Sequence, residues 1–339
     1  MNRNPLQRGQ FHAYGASFTR RDCLRMAALA MAGLGLGGLP ACEPDQPLRI
    51  AVQPWVGYQL LFLAKQEGWL PLDSLQLLET NNTAESVAAV AAGKADGAAL
   101  TLDEVLRLRD QGIPLSAVMV FDVSAGADAV LTKPGIRSLA DLQGKRIAVE
   151  SSSLGAIMLA KVIAAGGLKR EDLTVEPMGF DHVQTWETGK LDAIITYEPA
   201  KSQLLAKGLV NLCDSRDLPQ VLLDVLAVRT DAAERHAGAL RGLIAGHLRA
   251  LKRWNSNPID TAYRLSPRLG VKPEAVNNLF KGLDLPDARY NLEYLAAPAD
   301  ELTRSAQDIA QIMLREGMIK HAPSLDQLFL PDYLPGDGG

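Results

Sequence analysis

Cysteine, histidine and aromatic side chains are all sparse in this chain, and there is no excess of positive charge. Two of its 3 cysteines fall in the first forty-two residues. Cys213 therefore has no partner, and disulfides do not hold the fold. The 5 histidines are scattered, with no Cys/His cluster at metal-ligand spacing. No Gly-x-Ser-x-Gly elbow and no phosphate loop ending in Gly-Lys-Ser/Thr occurs, so two common enzyme signatures are missing. Cys213 ends the apolar stretch from Leu209, which reads as a buried, inert thiol. Beyond one run near the start there is no long apolar segment, so no second membrane span is expected.

That run is the most informative stretch present. Arg20 and Arg21 precede an uncharged apolar segment from Met26 to Leu39, and Leu39, Pro40, Ala41 and Cys42 follow. Fourteen residues are fewer than the roughly 20 a spanning helix needs, which marks the core of a signal peptide. The N-terminal segment resembles a bacterial twin-arginine signal with a lipoprotein cleavage box. That resemblance implies removal of residues 1–41, a lipid on Cys42, an anchored linker over 42–47 and a protein tethered to a membrane in the periplasm. Gly33, Gly35 and Gly38 mimic a dinucleotide fingerprint, but no strand precedes them.

Residues 1–41 carry five arginines and one acid. Taking them from 35 cations and 39 acids leaves 30 against 38, a net charge of −8. Such a surface gives no electrostatic reason to bind nucleic acid. The remaining length, at 47% hydrophobic residues, suits two domains.

Apolar runs suited to strands alternate with helical patterns: Leu48 to Val52 then Tyr58 to Glu67, Leu75 to Glu79 then Glu85 to Ala92, Ala95 to Leu100 then Asp103 to Gln111. This is the pattern of a parallel sheet covered by helices. Asn82 with Glu85 predicts a capping box, and Gly93 a helix stop. The pattern then repeats. Gly93-Lys94-Ala95-Asp96 returns as Gly189-Lys190-Leu191-Asp192, and Gln53 corresponds to Glu150 at nearly the same offset. The echo predicts two lobes on one plan. Crossings are expected near Ala129 to Ser138 and Pro219 to Arg229, giving one lobe from 48–130 plus 226–335 and an inserted lobe at 131–225. Asp231 is expected to cap one long helix ending before Pro258, with further helices from Pro273 and from Pro298 to Glu316.

In open α/β sheets ligands sit beyond the carboxyl ends of strands, at helix N-termini. That rule selects Trp55, Tyr58, Thr101 and Asp103 in the first lobe. In the second it selects Ser151, Ser152, Ser153, Tyr197 and Glu198, with Ser124, Asp128 and Asp224 near the crossings. Each has a duller alternative. Trp55 and Tyr58 either stack on a ligand or pack a loop, the serines either cap a helix or offer amides to a ligand oxygen, and the acids either bind or cap. Glu198, before Pro199, is the leading binding acid; His182 reads as a rim residue, and Leu102 and Trp186 as core.

From Leu48 to Arg229 the chain resembles the periplasmic solute-binding proteins of importers for sulfonates, taurine, nitrate and thiamine-pyrimidine precursors. The residues carrying this are Gly57 with Tyr58, the Ala91 to Ala99 block, Ser124 to Asp128, Leu139 to Val149 and Gly189 to Pro199. The resemblance implies an α/β, type II two-lobe periplasmic-binding fold, each lobe a mainly parallel sheet flanked by helices, joined by a two-strand hinge. It implies a monomer that takes a small-molecule ligand to an ABC permease and its ATPase, with no catalytic residue, cofactor or metal. Four acids near one cleft favour an amine- or ring-nitrogen-bearing ligand over a simple oxyanion. Two alternatives remain open: an enzyme on the same fold, akin to pyrimidine-precursor synthesis, and an extracytoplasmic sensor.

Overall fold

The expected alternation is realised as β1 (Leu48–Val52), β2 (Leu75–Glu79), β3 (Gly97–Thr101) and the long β4 (Leu115–Ser124), with helices Gln59–Gln66, Thr83–Ala91 and Leu102–Asp110 between them. The computed structural model describes residues 46–218, 222–296 and 300–336. The signal, Cys42 with most of its linker, and residues 219–221 of the return crossing lie outside the described residues. Past Ser124 the chain passes to a second sheet: β5 (Ala129–Thr132), β6 (Arg146–Glu150), β7 (Thr174–Met178), β8 (Ala193–Thr196) and β9 (Val210–Asp214). It returns as β10 (Leu223–Arg229), and β11 (Leu283–Asp284) adds an edge.

The sheets run β11-β4-β10-β3-β1-β2 and β7-β6-β8-β5-β9. Each contains a parallel trio, β2-β1-β3 and β7-β6-β8, and a strand next to a crossing joins each trio antiparallel, β10 to β3 and β5 to β8. The sheets are therefore mixed. A chain that enters one sheet and returns to the other must reverse direction beside the trio, which periodicity alone does not reveal.

The internal echo has a physical basis. Asp96 accepts the backbone N–H of Arg49 at 2.9 Å, and Asp192 accepts that of Arg146 at 3.0 Å. In each sheet the turn before the third strand thus ties down the entry of the first. Asn82 caps its helix by accepting from Glu85 N at 3.0 Å, and Glu85 reaches back to Asn81 N. Gly93, at φ +69°, takes the left-handed conformation that ends the helix.

Trp254 packs on Phe280, and β1, β3 and β10 are buried on both faces. The single helix expected after Asp231 is two: Thr230–Arg235, with Asp231 paired to Arg235 at 2.7 Å, then Ala237–Ser256. His236 breaks them at φ −110° and ψ 28°, outside the helical well. Leu102 is core as expected, and His247 is buried with it. Helices Pro273–Leu279 and Asp300–Arg315 follow; residues 297–299, where the last was expected to start, lie outside the described residues. No helix among the described residues is long and apolar enough to cross a membrane.

The crossings are laced together. Ser124 and Ser215 hydroxyls lie 2.8 Å apart, and Gly126 N donates to Ser215 Oγ at 2.7 Å. Ala125 N and Ala127 N both donate to Gly282 O, at 2.7 and 3.0 Å.

Candidate functional site

Strand ends of both sheets meet around a cavity of about 420 Å³, within the range of small-molecule sites. Eleven of the twelve expected residues line it, and Glu198 does not. The Glu198 carboxylate instead accepts from Ser202 N at 3.2 Å and Ser202 Oγ at 2.9 Å, holding the first turn of the Ala200–Ala206 helix. Ser202 lies in the first turn, where backbone N–H groups have no partner within the helix, and the carboxylate satisfies it.

From the first sheet come Trp55 and Tyr58. Trp55 donates its indole N–H to Asp122 Oδ2 at 3.2 Å and meets Tyr197 of the opposite wall edge-on, ring centroids 6.0 Å apart. Tyr58 is 1% exposed and tilts against Phe121 at 5.1 Å, so its ring is core and not a stacking surface. Burial, with the Asp224 and Asp122 charges nearby, raises its hydroxyl well above the ordinary value. Gly57 makes this packing possible: a Cβ there would stand 1.8 Å from Asp122 Oδ2.

Thr101 and Asp103 open the Leu102–Asp110 helix, where Glu104 accepts Thr101 N at 3.2 Å. Ser153, on the second sheet's side, donates its hydroxyl to Asp103 Oδ2. That bond and the Trp55–Tyr197 contact join the two walls in a closed arrangement. Ser152 caps the Ser153–Gly166 helix by accepting Gly155 N at 3.1 Å, and Ser151 N donates to Met178 O at 2.9 Å. A Cβ on Gly155 would come 2.2 Å from Glu150 O, so this turn also depends on a missing side chain.

The lining acids number six among the described residues: Asp103, Glu104, Asp122, Asp128, Glu150 and Asp224; Arg107 is the one lining cation. Burial governs how they hold protons. It raises Asp103 and Asp128 above the ordinary carboxyl value, although Lys161 and Lys201 partly offset it at Asp128. It pushes Glu104 to about 8, with the Asp103 charge adding. Asp122 rises to about 7 through burial, and Asp224 lies well above its usual value through burial and the Asp122 charge.

Glu150 behaves differently. Burial opposes its ionisation, but hydrogen bonds from His182, Ser152 and Tyr197 hold it below the ordinary value. His182 Nε2 is 3.0 Å from Glu150 Oε2, its Nδ1 is 2.9 Å from Thr196 Oγ1, and Tyr197 OH donates to the same Glu150 oxygen at 2.7 Å. His182, read from sequence as a rim residue, is 2% exposed: a helix start beside β8 turns its ring inward to orient Glu150.

Sequence reasoning missed Glu104, Arg107, Asp122, Glu150 and Phe180. Two signals were there. Asp122 is the one carboxylate in the apolar run Val118 to Val123, and Glu150 is the counterpart of Gln53 in the repeat. Cys213 lies outside the cavity, and burial pushes its thiol up to about 11.

Two mixed sheets whose strand ends face one cavity, joined by laced crossings, define a two-lobe periplasmic-binding fold. The chain belongs to the family described as NMT1/THI5 like, whose model matches residues 58–260. It is 25% identical over 221 residues to the taurine-binding periplasmic protein of Escherichia coli, spanning 62% of this chain and 67% of that one. It is 26% identical over 257 residues to the riboflavin-binding protein RibY of Chloroflexus aurantiacus, spanning 68% of each. The crystal structure of the periplasmic aliphatic sulphonate binding protein SsuA from Escherichia coli shares the fold, with TM-score 0.72 at 20% identity over 88% of this chain and 96% of that one.

Proposed function

We propose that this protein captures a small organic solute bearing an amine or ring nitrogens, closes its lobes over it and delivers it unchanged to an ABC permease and its ATPase. The observation that carries this reading is the cavity itself: six carboxylates and one arginine around about 420 Å³. A simple oxyanion placed there meets the standing charge of Glu150, whereas a cation lets the other buried acids ionise against a partner. Glu150, held ionised by its neighbours, supplies the standing negative charge, and Trp55 and Tyr197 supply apolar walls. Thr101, Ser124 and the Ser151–Ser153 turn add polar contacts around them.

The relatives support capture of a small organic solute. One is named for taurine, which carries an amine beside its sulfonate, and one for riboflavin, which carries ring nitrogens. Capture is a population shift between open and closed forms, with 131–225 moving as one lobe against 48–130 and 226–335. The working protein is a monomer in the periplasm, freed of residues 1–41 and held to a membrane by a lipid on Cys42. Replacing Cys42 by serine should release it from the membrane fraction.

The deciding experiment is native mass spectrometry of the protein from its own host, followed by calorimetry against amines, pyrimidines, flavins and sulfonates, with X-ray scattering for compaction. A co-purified nitrogenous solute that compacts the protein is expected. Absence of any bound solute, or conversion of one to product, refutes the reading.

A further inference from the structure

The floor of the cavity is an ordered row. Thr101 of β3, Asp224 of β10 and Asp122 of β4 are register partners across three neighbouring strands. The register shifts between Asp224 and Val225, so that Phe121 is an extra residue on β4. This is a bulge, and it re-aims the strand. Phe121 goes into the core against Tyr58 and His247, while Asp122 faces Trp55. The acids therefore lie side by side at the level where the chain crosses between sheets.

Part of the row is satisfied: Asp122 Oδ2 receives the Trp55 indole. Two atoms are not, the Thr101 hydroxyl oxygen and one carboxyl oxygen of Asp224. Asp224 is 7% exposed and lines the cavity, yet its Oδ1 is fully buried with no partner among the described residues. A buried acceptor with no donor is costly in the empty protein and is relieved when a donor arrives. A sulfonate or carboxylate oxygen has no hydrogen to give to Oδ1.

We propose that this row is the specificity-determining seat of the site: Asp224 Oδ1 accepts an N–H from the solute's amine, amidine or ring nitrogen, and Asp122 stands behind it as counter-charge. The inference rests on the solute-binding reading above and names the atom that selects among solutes. Other charged or titratable groups facing the pair are Tyr58 and Asp128.

The test uses the full chain labelled with ¹³C-aspartate and ¹⁵N-tryptophan, titrated with 2-aminopyrimidine as donor probe and ethanesulfonate as control. The pyrimidine should move the Asp122 and Asp224 carboxyl resonances and the Trp55 indole resonance, and the sulfonate should not. Asp224→Ala should weaken the pyrimidine by about tenfold or more, and Asp224→Asn, which keeps an oxygen acceptor, by clearly less. Melting curves verify that both variants fold. No movement with the pyrimidine, or undiminished affinity in Asp224→Ala, overturns the seat. Native mass spectrometry separates the two claims. Solute retained equally by wild type and Asp224→Ala defeats the seat alone, while no solute in either defeats the solute-binding reading and the seat with it.

Discussion

Replacing Asp122 by asparagine should stabilise the protein at high pH and do little at low pH. Burial moves the Asp122 carboxyl from 3.8 to about 7 in the folded chain. A carboxyl raised on folding makes the native state bind more protons than the unfolded state, so stability falls as pH rises between these values. The benefit of the native proton is fully present below about pH 3.8 and gone above about pH 7. About three pH units correspond to at most about 4 kcal/mol. Asparagine does not ionise, keeps an oxygen for the Trp55 indole 3.2 Å away and offers an N–H to Asp224. At about 2 °C per kcal/mol for a chain of this size, the variant should melt roughly 5–10 °C above wild type at pH 8 and close to it at pH 4. Differential scanning fluorimetry across pH 4–8 measures the gap. Parallel melting curves for the two proteins would show that Asp122 holds no extra proton, and the account of the acidic floor would fail.

Other expectations follow from single contacts. Gly57→Ala places a Cβ 1.8 Å from Asp122 Oδ2, and should lower stability by about 1–3 kcal/mol in urea titrations. Asn291, fully buried, bonds Val120 N at 2.7 Å, Val120 O at 3.2 Å and Pro286 O at 3.0 Å; Asn291→Leu strands these groups and should cost about 2–4 kcal/mol by chemical denaturation. Ser153→Ala removes the hydroxyl donated across the cleft to Asp103, so the radius of gyration from X-ray scattering should increase in the unliganded protein. In peptide-resolved alkylation at neutral pH, Cys213, whose thiol is pushed up to about 11, should stay unmodified until urea is added.

How far the chain could be read without coordinates differs from element to element. Strand β1 and strand β2 fall where the apolar runs place them: β1 is buried at nearly every position and reads as an almost continuous apolar segment, while in β2 buried Leu75 and Leu77 flank the exposed Gln76. The Gly-Lys-x-Asp echo is legible because each aspartate performs the same backbone task in its own sheet. The break at His236 is not legible: Leu240, Leu243 and Ile244 keep helical spacing on one side of it, and nothing in their pattern marks where that helix begins. His182 misleads for a related reason. Its position at a helix start suggests solvent, and only the neighbouring β6 and β8 enclose it.

By itself, then, the sequence determined the alternating elements, the duplicated plan, the isolation of Cys213 and a concentration of acids at strand ends, since each follows from local composition and spacing. The tertiary structure alone decided which acids share the cavity. A bulge at Phe121 aims Asp122 inward, a helix turn at Ser202 draws Glu198 away, and three donors from separate segments keep Glu150 charged. Direction of a side chain and its burial are set by neighbours distant along the chain, and those neighbours meet only when both sheets are in place.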